Sequence, residues 1–159
     1  MKVAIIFGSK SDKEIMSGAA KALKEFNVEY KAFILSAHRV PEKLLETIET
    51  LEKEDFQCII AGAGLAAHLP GVIASHTILP VIGVPINAAL GGQDSLYSIV
   101  QMPKAIPVAT VGINNSYNAG ILAAEILSIK YPEIREALYK YRKNMKENFI
   151  KENEEGVEF

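Results

Sequence analysis

Short apolar runs recur along the chain and alternate with stretches of helical pattern. The runs are VAIIF at 3–7, YKAFIL at 30–35, QCIIAG at 57–62, PVIGV at 80–84 and IPVATVG at 106–112. Several of them are continuous rather than alternating, as in strands that are buried on both faces of a parallel sheet. Alternation of such strands with helices predicts a three-layer α/β fold built on a doubly wound parallel sheet of five strands.

Local signals mark where the first helices begin. Ser11 followed by Glu14 has the spacing of a capping box ahead of KEIMSGAAKALKEF. Pro41 suits the first turn of PEKLLETIETLEKE, and Pro70 suits the first turn of LPGVIASHT. Each of these helices is thus predicted to come after one of the apolar runs.

The last third of the chain contains two further helical patterns. Asn115 or Ser116 can cap the apolar pattern that follows, and Pro132 either ends that helix or begins the next. The whole chain, 1–159, is predicted to be one domain with a core over 1–131. The charged, amphipathic segment 132–159 has no strand left to cover, so it is expected to pack on a neighbouring subunit, the alternative being a solvated tail.

Composition restricts the possible partners. Hydrophobic residues make up 49% of the chain, more than one small core needs, so part of the apolar surface is expected in subunit interfaces. The net charge is −2 and no basic block occurs, which argues against nucleic acid and anionic membranes as partners. Small molecules and copies of the same chain are the expected partners.

The cysteine content and the first apolar run bear on the compartment. Cys58 is the single cysteine, which excludes an intrachain disulfide and fits a reducing compartment. We expect it to be a small buried hydrophobe. The first apolar run is too short for a signal peptide core or a membrane span, so a cytoplasmic location is expected.

The chemically suggestive residues follow the ends of the predicted strands. The segments are GSKSD after the first run, SAHRVPE after the second, AGAGLAAHLPG after the third and PINAALGGQDS after the fourth. In an open parallel sheet, ligands bind beyond the carboxyl ends of the strands, where the strand order reverses. The sequence therefore predicts that these segments form one site.

The segment GSKSD has the features of an anion site. Gly8 permits a turn, and Ser9 and Ser11 place hydroxyl groups at a helix amino terminus, where backbone N–H groups attract a phosphate. Neither a Walker loop nor a dinucleotide fingerprint is present. Asp12 would repel a phosphate, so it is expected to accept hydrogen bonds from sugar hydroxyls, unless Ser11 and Asp12 only cap the helix.

Two of the histidines lie in segments that follow strands. His38 can exchange protons at cellular pH, and the planar guanidinium of Arg39 suits bidentate phosphate binding. His68 lies at a helix start, where the helix dipole disfavours its charged form, so we expect it to donate or orient while neutral. His76, predicted to lie within a helix, is assigned a structural role. The three histidines lack metal-motif spacing, so no metal is inferred.

Two small-residue segments leave alternatives open. Gly62, Ala63, Gly64, Ala66 and Ala67 either let the backbone approach a ligand or serve tight packing of strand against helix. Gly91–Gly92 either forms the hinge of a mobile lid or belongs to an ordinary connection that leads to a helix capped near Asp94 or Ser95.

Four of these motifs together resemble a known family. GSKSD, SAHR followed by Pro, AGAG and AAHLPG around one variable residue, and DSLYSIVQMP occur in the order seen in class I N5-carboxyaminoimidazole ribonucleotide mutases of bacterial purine biosynthesis, the PurE family. The resemblance extends from Val3 to about Tyr131. It implies a flavodoxin-like fold, a homo-octamer and a reaction without ATP, metal or organic cofactor.

The resemblance also implies a reaction and roles for residues. The carboxylate leaves the exocyclic nitrogen of the ribonucleotide as trapped CO2, and C4 of the imidazole ring then attacks that CO2. His38 corresponds to the proton shuttle. The corresponding phosphate ligands are Ser9, Ser11, Ser36 and Arg39; Asp12 corresponds to the ribose ligand; and the residues of the base and CO2 pocket are Ala63, Gly64, Ala66, His68 and Leu69. Such chemistry requires a closed pocket, because free CO2 escapes or is hydrated.

One residue departs from the family pattern, and two rival functions remain. Leu65 stands where the family usually has glycine, and a positive φ there would strain a leucine. The nearest rival function is the class II carboxylase, which joins CO2 directly to aminoimidazole ribonucleotide; AAHLPG favours class I. The second rival is a non-catalytic flavodoxin-like binding module, for which flavin binding or an acidic cluster after the first strand would be the evidence.

Overall fold

A computed structural model describes residues 1–156 as five strands, six helices and two short 3-10 turns. The strands are β1 Lys2–Phe7, β2 Glu29–Ile34, β3 Phe56–Gly64, β4 Val81–Ile86 and β5 Ala109–Thr110. The helices are α1 Lys13–Glu25, α2 Pro41–Lys53, α3 Leu69–Ala74, α4 Gln93–Val100, α5 Ser116–Leu127 and α6 Pro132–Glu155. The last residues of the predicted tail, 157–159, lie outside the described residues.

All strand pairs are parallel, in the order β2-β1-β3-β4-β5. The chain moves outward from β1 to β2 and then returns to the other side of β1, so the order reverses between β1 and β3. This is the flavodoxin-like arrangement, in which ligands bind beyond the carboxyl ends of β1 and β3. The predicted doubly wound α/β sheet is confirmed.

Side chains from successive residues of β1 enter two separate cores. Val3 and Ile5 pack on one face of the sheet against α1 and α5, whereas Ala4 and Ile6 pack on the other face against α2 and α3. All four are almost completely buried. The continuous apolar run thus reflects a strand covered on both faces, and burial of each isoleucine contributes about 1.5–3 kcal/mol.

The fifth strand is shorter than its apolar run predicts. Only Ala109 and Thr110 pair with β4, although the Val111 N–H still donates to the Gly83 carbonyl over 3.1 Å. Pro107, at the start of this run, has no N–H to give to a strand ladder. The run therefore contributes a short edge strand rather than a seven-residue one.

The predicted starts of α2, α3 and α5 are confirmed, whereas that of α1 is wrong. Pro41 and Pro70 lie in the first turns of α2 and α3, and the Asn115 side chain caps α5 by accepting from the Asn118 N–H over 3.1 Å. The Ser11–Glu14 capping box is wrong. A 3-10 turn over Lys10–Asp12 precedes α1, so Ser11 lies inside this turn and is not the residue that caps α1.

The first half of the last helix packs on the domain. Ile134 and Leu138 are buried in the core beside α5, and the Tyr141 ring meets Phe26 edge-on with ring centroids 5.4 Å apart. Beyond this contact, Met145 and Phe149 are exposed. Pro132 thus begins a helix, and its proximal half covers the chain's own core. Packing of the distal half on a neighbouring subunit stays a prediction.

Candidate active site

A cavity of about 450 Å³ opens at the carboxyl ends of β1 and β3. Its walls come from the loops after β1, β2, β3 and β4. Each predicted site residue lines it, namely Ser9, Ser11, Asp12, Ser36, His38, Arg39, Ala63, Gly64, Ala66, His68 and Leu69. The structure therefore brings these residues together, while their parts in binding and catalysis stay predictions.

Hydroxyl groups and a guanidinium form one end of the cavity. The Ser11 Oγ lies 2.9 Å from the Ser9 Oγ and 3.2 Å from Asp12 Oδ1. The Arg39 Nη2 donates to the Gly8 carbonyl over 2.9 Å, which holds the second loop against the first. Beside them, the turn at Lys10–Asp12 leads into α1, whose first backbone N–H groups favour an anion. This end is suited to a phosphate.

The two histidines of the cavity form a hydrogen-bonded pair. His38 Nε2 lies 2.8 Å from His68 Nδ1, and the rings are nearly perpendicular at 85°. One proton lies between these nitrogens, donated by whichever ring carries it. One additional proton can be held on the pair without breaking the bond, because His38 Nδ1 and His68 Nε2 are then both protonated. The pair can therefore take up and release a proton while its geometry is kept.

Small side chains at the end of β3 and directly after it form an apolar end of the cavity, and two glycines of β3 serve close packing. A Cβ on Gly62 would lie 2.3 Å from the Met16 sulfur, and a Cβ on Gly64 would lie 2.9 Å from the Ala88 Cβ. Of the two alternatives for this segment, tight packing is therefore the one that the geometry at Gly62 and Gly64 favours. The wall that results is apolar, with Ala63 and Leu69 buried in it.

The backbone of Leu65 has the positive φ that strains a leucine. Its φ is 56°, in the left-handed region, and the residue is 56% exposed while it lines the cavity. For an L-residue other than asparagine or aspartate, this conformation costs about 1–2 kcal/mol.

The loop after β4 is an ordered connection. The buried Ser95 hydroxyl donates to the carbonyls of Ile86 and Gly92, over 3.0 and 2.9 Å. Gly92, rather than Asp94 or Ser95, is the residue before α4, and its φ of 83° requires glycine. These contacts favour the ordinary connection over the lid. Ala88 of this loop and Ala37 also line the cavity; sequence reasoning missed both, although both lie in segments predicted to reach the site.

The cavity is not closed in the single chain. Ser11, His38, Arg39 and His68 are all exposed, and they stand at its opening. The closed pocket that CO2 chemistry requires is therefore not formed by one chain alone. The physical reason is that the loops after the strands form the side walls of the cavity and leave its opening uncovered.

The other titratable candidates lie away from the cavity. His76 is exposed beyond the end of α3, not within a helix as predicted. Cys58 is buried in β3, and burial raises the pKa of its thiol to about 12, so the thiol stays protonated and inert. Within residues 1–156, no group of three or more His, Cys, Asp or Glu side chains is placed to hold a metal ion.

Comparison with known proteins decides the family. The family model of AIR carboxylase matches residues 2–148. The chain belongs to the AIR carboxylase family. Its resemblance to the PurE proteins, which the four motifs indicated, is thereby confirmed.

Relatives within the AIR carboxylase family match over most of their length. An N5-carboxyaminoimidazole ribonucleotide mutase of Pyrococcus abyssi is 61% identical over 146 residues, which are 91% of this chain and 84% of that protein. A mutase of the same name from Thermotoga maritima is 54% identical over 150 residues, 94% of this chain and 88% of that protein. The crystal structure of Treponema denticola PurE has a TM-score of 0.91 at 28% identity and covers 99% of both chains.

Proposed function

We propose that this protein is an N5-carboxyaminoimidazole ribonucleotide mutase, an isomerase of purine biosynthesis. It moves the carboxylate of its substrate from the exocyclic nitrogen to C4 of the imidazole ring. The observation that carries the proposal is the position of the His38–His68 pair. The pair lines the same cavity as Ser9, Ser11 and Arg39, which suit a phosphate, and as small apolar residues that suit a flat heterocycle and CO2. The identity to relatives of this name supports it.

The proposed substrate extends from the polar end of the cavity, where its phosphate binds, to the apolar end. Its phosphate binds the hydroxyls of Ser9, Ser11 and Ser36 and the guanidinium of Arg39, at the amino terminus of α1. Asp12, next to this group, accepts hydrogen bonds from the ribose hydroxyls. The imidazole and CO2 then contact the opposite end, formed by Ala63, Gly64, Ala66, His68 and Leu69.

The reaction needs one proton to move twice. His38 gives a proton to the exocyclic nitrogen as the bond from that nitrogen to the carboxylate breaks, which leaves aminoimidazole ribonucleotide and CO2. The ring carbon C4 then attacks CO2, a C–C bond forms, and the hydrogen on C4 returns to His38 as a proton. The proton count is unchanged over the cycle, so one acid–base group suffices.

His68 keeps His38 in place during these steps. Because His38 Nε2 bonds to His68, His38 Nδ1 is the nitrogen that this bond does not use. After it has donated, the His38 ring still shares a proton with His68 and keeps its orientation. Neither step needs a metal or an organic cofactor, since the amino group of the ribonucleotide itself activates C4 for attack.

We further propose that the chain, one domain over 1–159, works as a homo-oligomer in the cytoplasm, and as an octamer. Support comes from the cavity, which one chain leaves open, and from exposed apolar side chains such as Ile78, at 98%, and Phe149, at 68%. The distal half of α6 supplies part of the subunit contacts. A neighbouring copy placed over the loops would close the cavity and exclude water.

Separate assays of two substrates test the proposal against its nearest rival. The chain is given N5-carboxyaminoimidazole ribonucleotide alone, or aminoimidazole ribonucleotide with CO2, and formation of the 4-carboxy product is measured. The mutase is expected to form the product from a low concentration of N5-carboxyaminoimidazole ribonucleotide. With aminoimidazole ribonucleotide it should need a much higher concentration of CO2. Turnover of only the second pair establishes the carboxylase instead. A yellow protein that binds flavin and converts neither establishes the binding module.

A further inference from the structure

Leu65 has a backbone conformation that leucine rarely adopts, directly after the last residue of β3. Its φ is 56°. Left-handed backbone is tolerated by glycine, and to a lesser degree by asparagine and aspartate. Among residues 1–156, half of the non-glycine positions with positive φ fit that rule, namely Asn27, Asp55 and Asn114. A leucine kept at a strained position beside a cavity calls for a functional account of its side chain.

Leu65 lines the cavity next to the small residues of its apolar end, and it is more than half exposed. Two leucines line the cavity: Leu69 is only 3% exposed, whereas Leu65 is 56% exposed. The residues on either side of Leu65, Gly64 and Ala66, have no large side chain. Leu65 is therefore the large apolar group that a molecule leaving this end of the cavity meets.

We propose that Leu65, at a position where the family usually has glycine, adds to the retention of CO2 in the site between cleavage of the C–N bond and formation of the C–C bond. This inference rests on the proposed mutase function. Once the exocyclic nitrogen has taken a proton from His38, CO2 is neutral and cannot donate a hydrogen bond. The hydroxyl groups and Arg39 at the polar end of the cavity therefore bind CO2 only weakly. Contact with apolar side chains is what keeps CO2 near C4. If CO2 leaves, aminoimidazole ribonucleotide is the product and no carboxylation follows.

Three substitutions separate the bulk of the side chain from the strain of the backbone. Leu65→Gly removes both, Leu65→Ala removes the bulk and keeps the strain, and Leu65→Met keeps both. Each variant is given N5-carboxyaminoimidazole ribonucleotide in buffer with 13C-labelled bicarbonate. The ratio of released aminoimidazole ribonucleotide to 4-carboxy product is measured, with the label in that product. We expect the ratio to rise at least about fourfold in the Gly and Ala variants, because the loss of one methylene contact has an effect of this size. The 13C content of the 4-carboxy product should rise with it.

Leu90 offers a matched control. It too has a positive φ, 46°, and is 77% exposed, but it is not among the described residues that line the cavity. Leu90→Gly is expected to leave the product ratio unchanged, as is Leu65→Met. Size-exclusion chromatography of every variant checks that the assembly is kept.

Three results overturn the proposal: an unchanged ratio in both small Leu65 variants, an equal rise in Leu90→Gly, or a rise that accompanies dissociation of the subunits. A wild-type protein that does not convert the substrate at all overturns the mutase function instead. The two failures are therefore distinguishable.

Discussion

His38 Nε2 lies 2.8 Å from His68 Nδ1, so two histidines from loops 30 positions apart share one proton. The loop after β2 carries the first histidine, and the end of the loop after β3 carries the second. Strand order places these loops on either side of the loop after β1. The proton-transfer group of the proposed mutase is therefore a product of the sheet topology, not of a local motif.

The role of His68 can be separated from that of His38. Replacement of His68 by Ala removes the partner of His38 Nε2, and we expect kcat to fall about 10–100-fold with little change in KM, the effect of one hydrogen bond to a charged group. The solvent deuterium isotope effect on kcat should increase, because a poorly oriented His38 makes proton transfer rate-limiting. His68→Gln, which keeps a polar group, should restore part of kcat. If both variants raise KM by as large a factor as they lower kcat, His68 binds the substrate instead.

Arg39 is predicted to act on the phosphate alone. Its guanidinium already reaches across to the Gly8 carbonyl, which places it over the first loop. Arg39→Ala should raise KM for the ribonucleotide about 10–100-fold through loss of a charge-assisted contact. The same variant should have no further effect on the corresponding riboside, which lacks the phosphate. A comparable loss with both compounds would contradict the assignment.

The buried thiol of Cys58 predicts how the free energy of unfolding changes at alkaline pH. Burial raises the pKa of its thiol from 9.0 to about 12. Above pH 9.0 the unfolded chain therefore loses a proton that the folded chain keeps, and the free energy of unfolding falls as pH rises through this window. Compared with Cys58→Ala, the wild-type protein should lose about 1.4 kcal/mol more per pH unit there. Urea unfolding at several pH values measures this, and parallel curves would be the contrary result.

The distal half of α6 is predicted to hold the assembly together. Met145 and Phe149 are exposed there, while Ile134 and Leu138 anchor the proximal half. Replacing Met145 and Phe149 by Ser should leave the fold intact and shift sedimentation from about 138 kDa, eight chains of 17.3 kDa, to a smaller species. Neutralising the exposed pair Lys143 and Glu147, on the same segment, is the control that should not. An unchanged mass in the Ser variant would place the contacts elsewhere.

Much of this fold is readable from the sequence because each signal is local. A strand covered on both faces must be apolar throughout, and Pro41 or Asn115 at a helix start acts within one turn. The convergence of the loops followed from a general rule on parallel sheets. The family motifs then supplied the site residues that this rule alone left ambiguous.

Two of the misses come from local signals that competed with the one used, and two others depend on distant partners. The turn before α1 displaced the capping box at Ser11, and Pro107 shortened the last strand. The hydrogen bond between His38 and His68 joins two loops whose distance no local pattern encodes. The cavity stays open in one chain, and a single sequence shows an apolar excess without showing where on the surface it lies.

The most direct test of the account is the replacement of His38 by Asn. Turnover of N5-carboxyaminoimidazole ribonucleotide and its dissociation constant are measured on the same preparation, with circular dichroism as the check of folding. The account predicts that turnover falls about 10²–10⁴-fold or below detection, while binding of the ribonucleotide changes little, because the phosphate ligands are untouched. Retained turnover in a folded Asn variant would contradict the proton shuttle and with it the proposed mechanism.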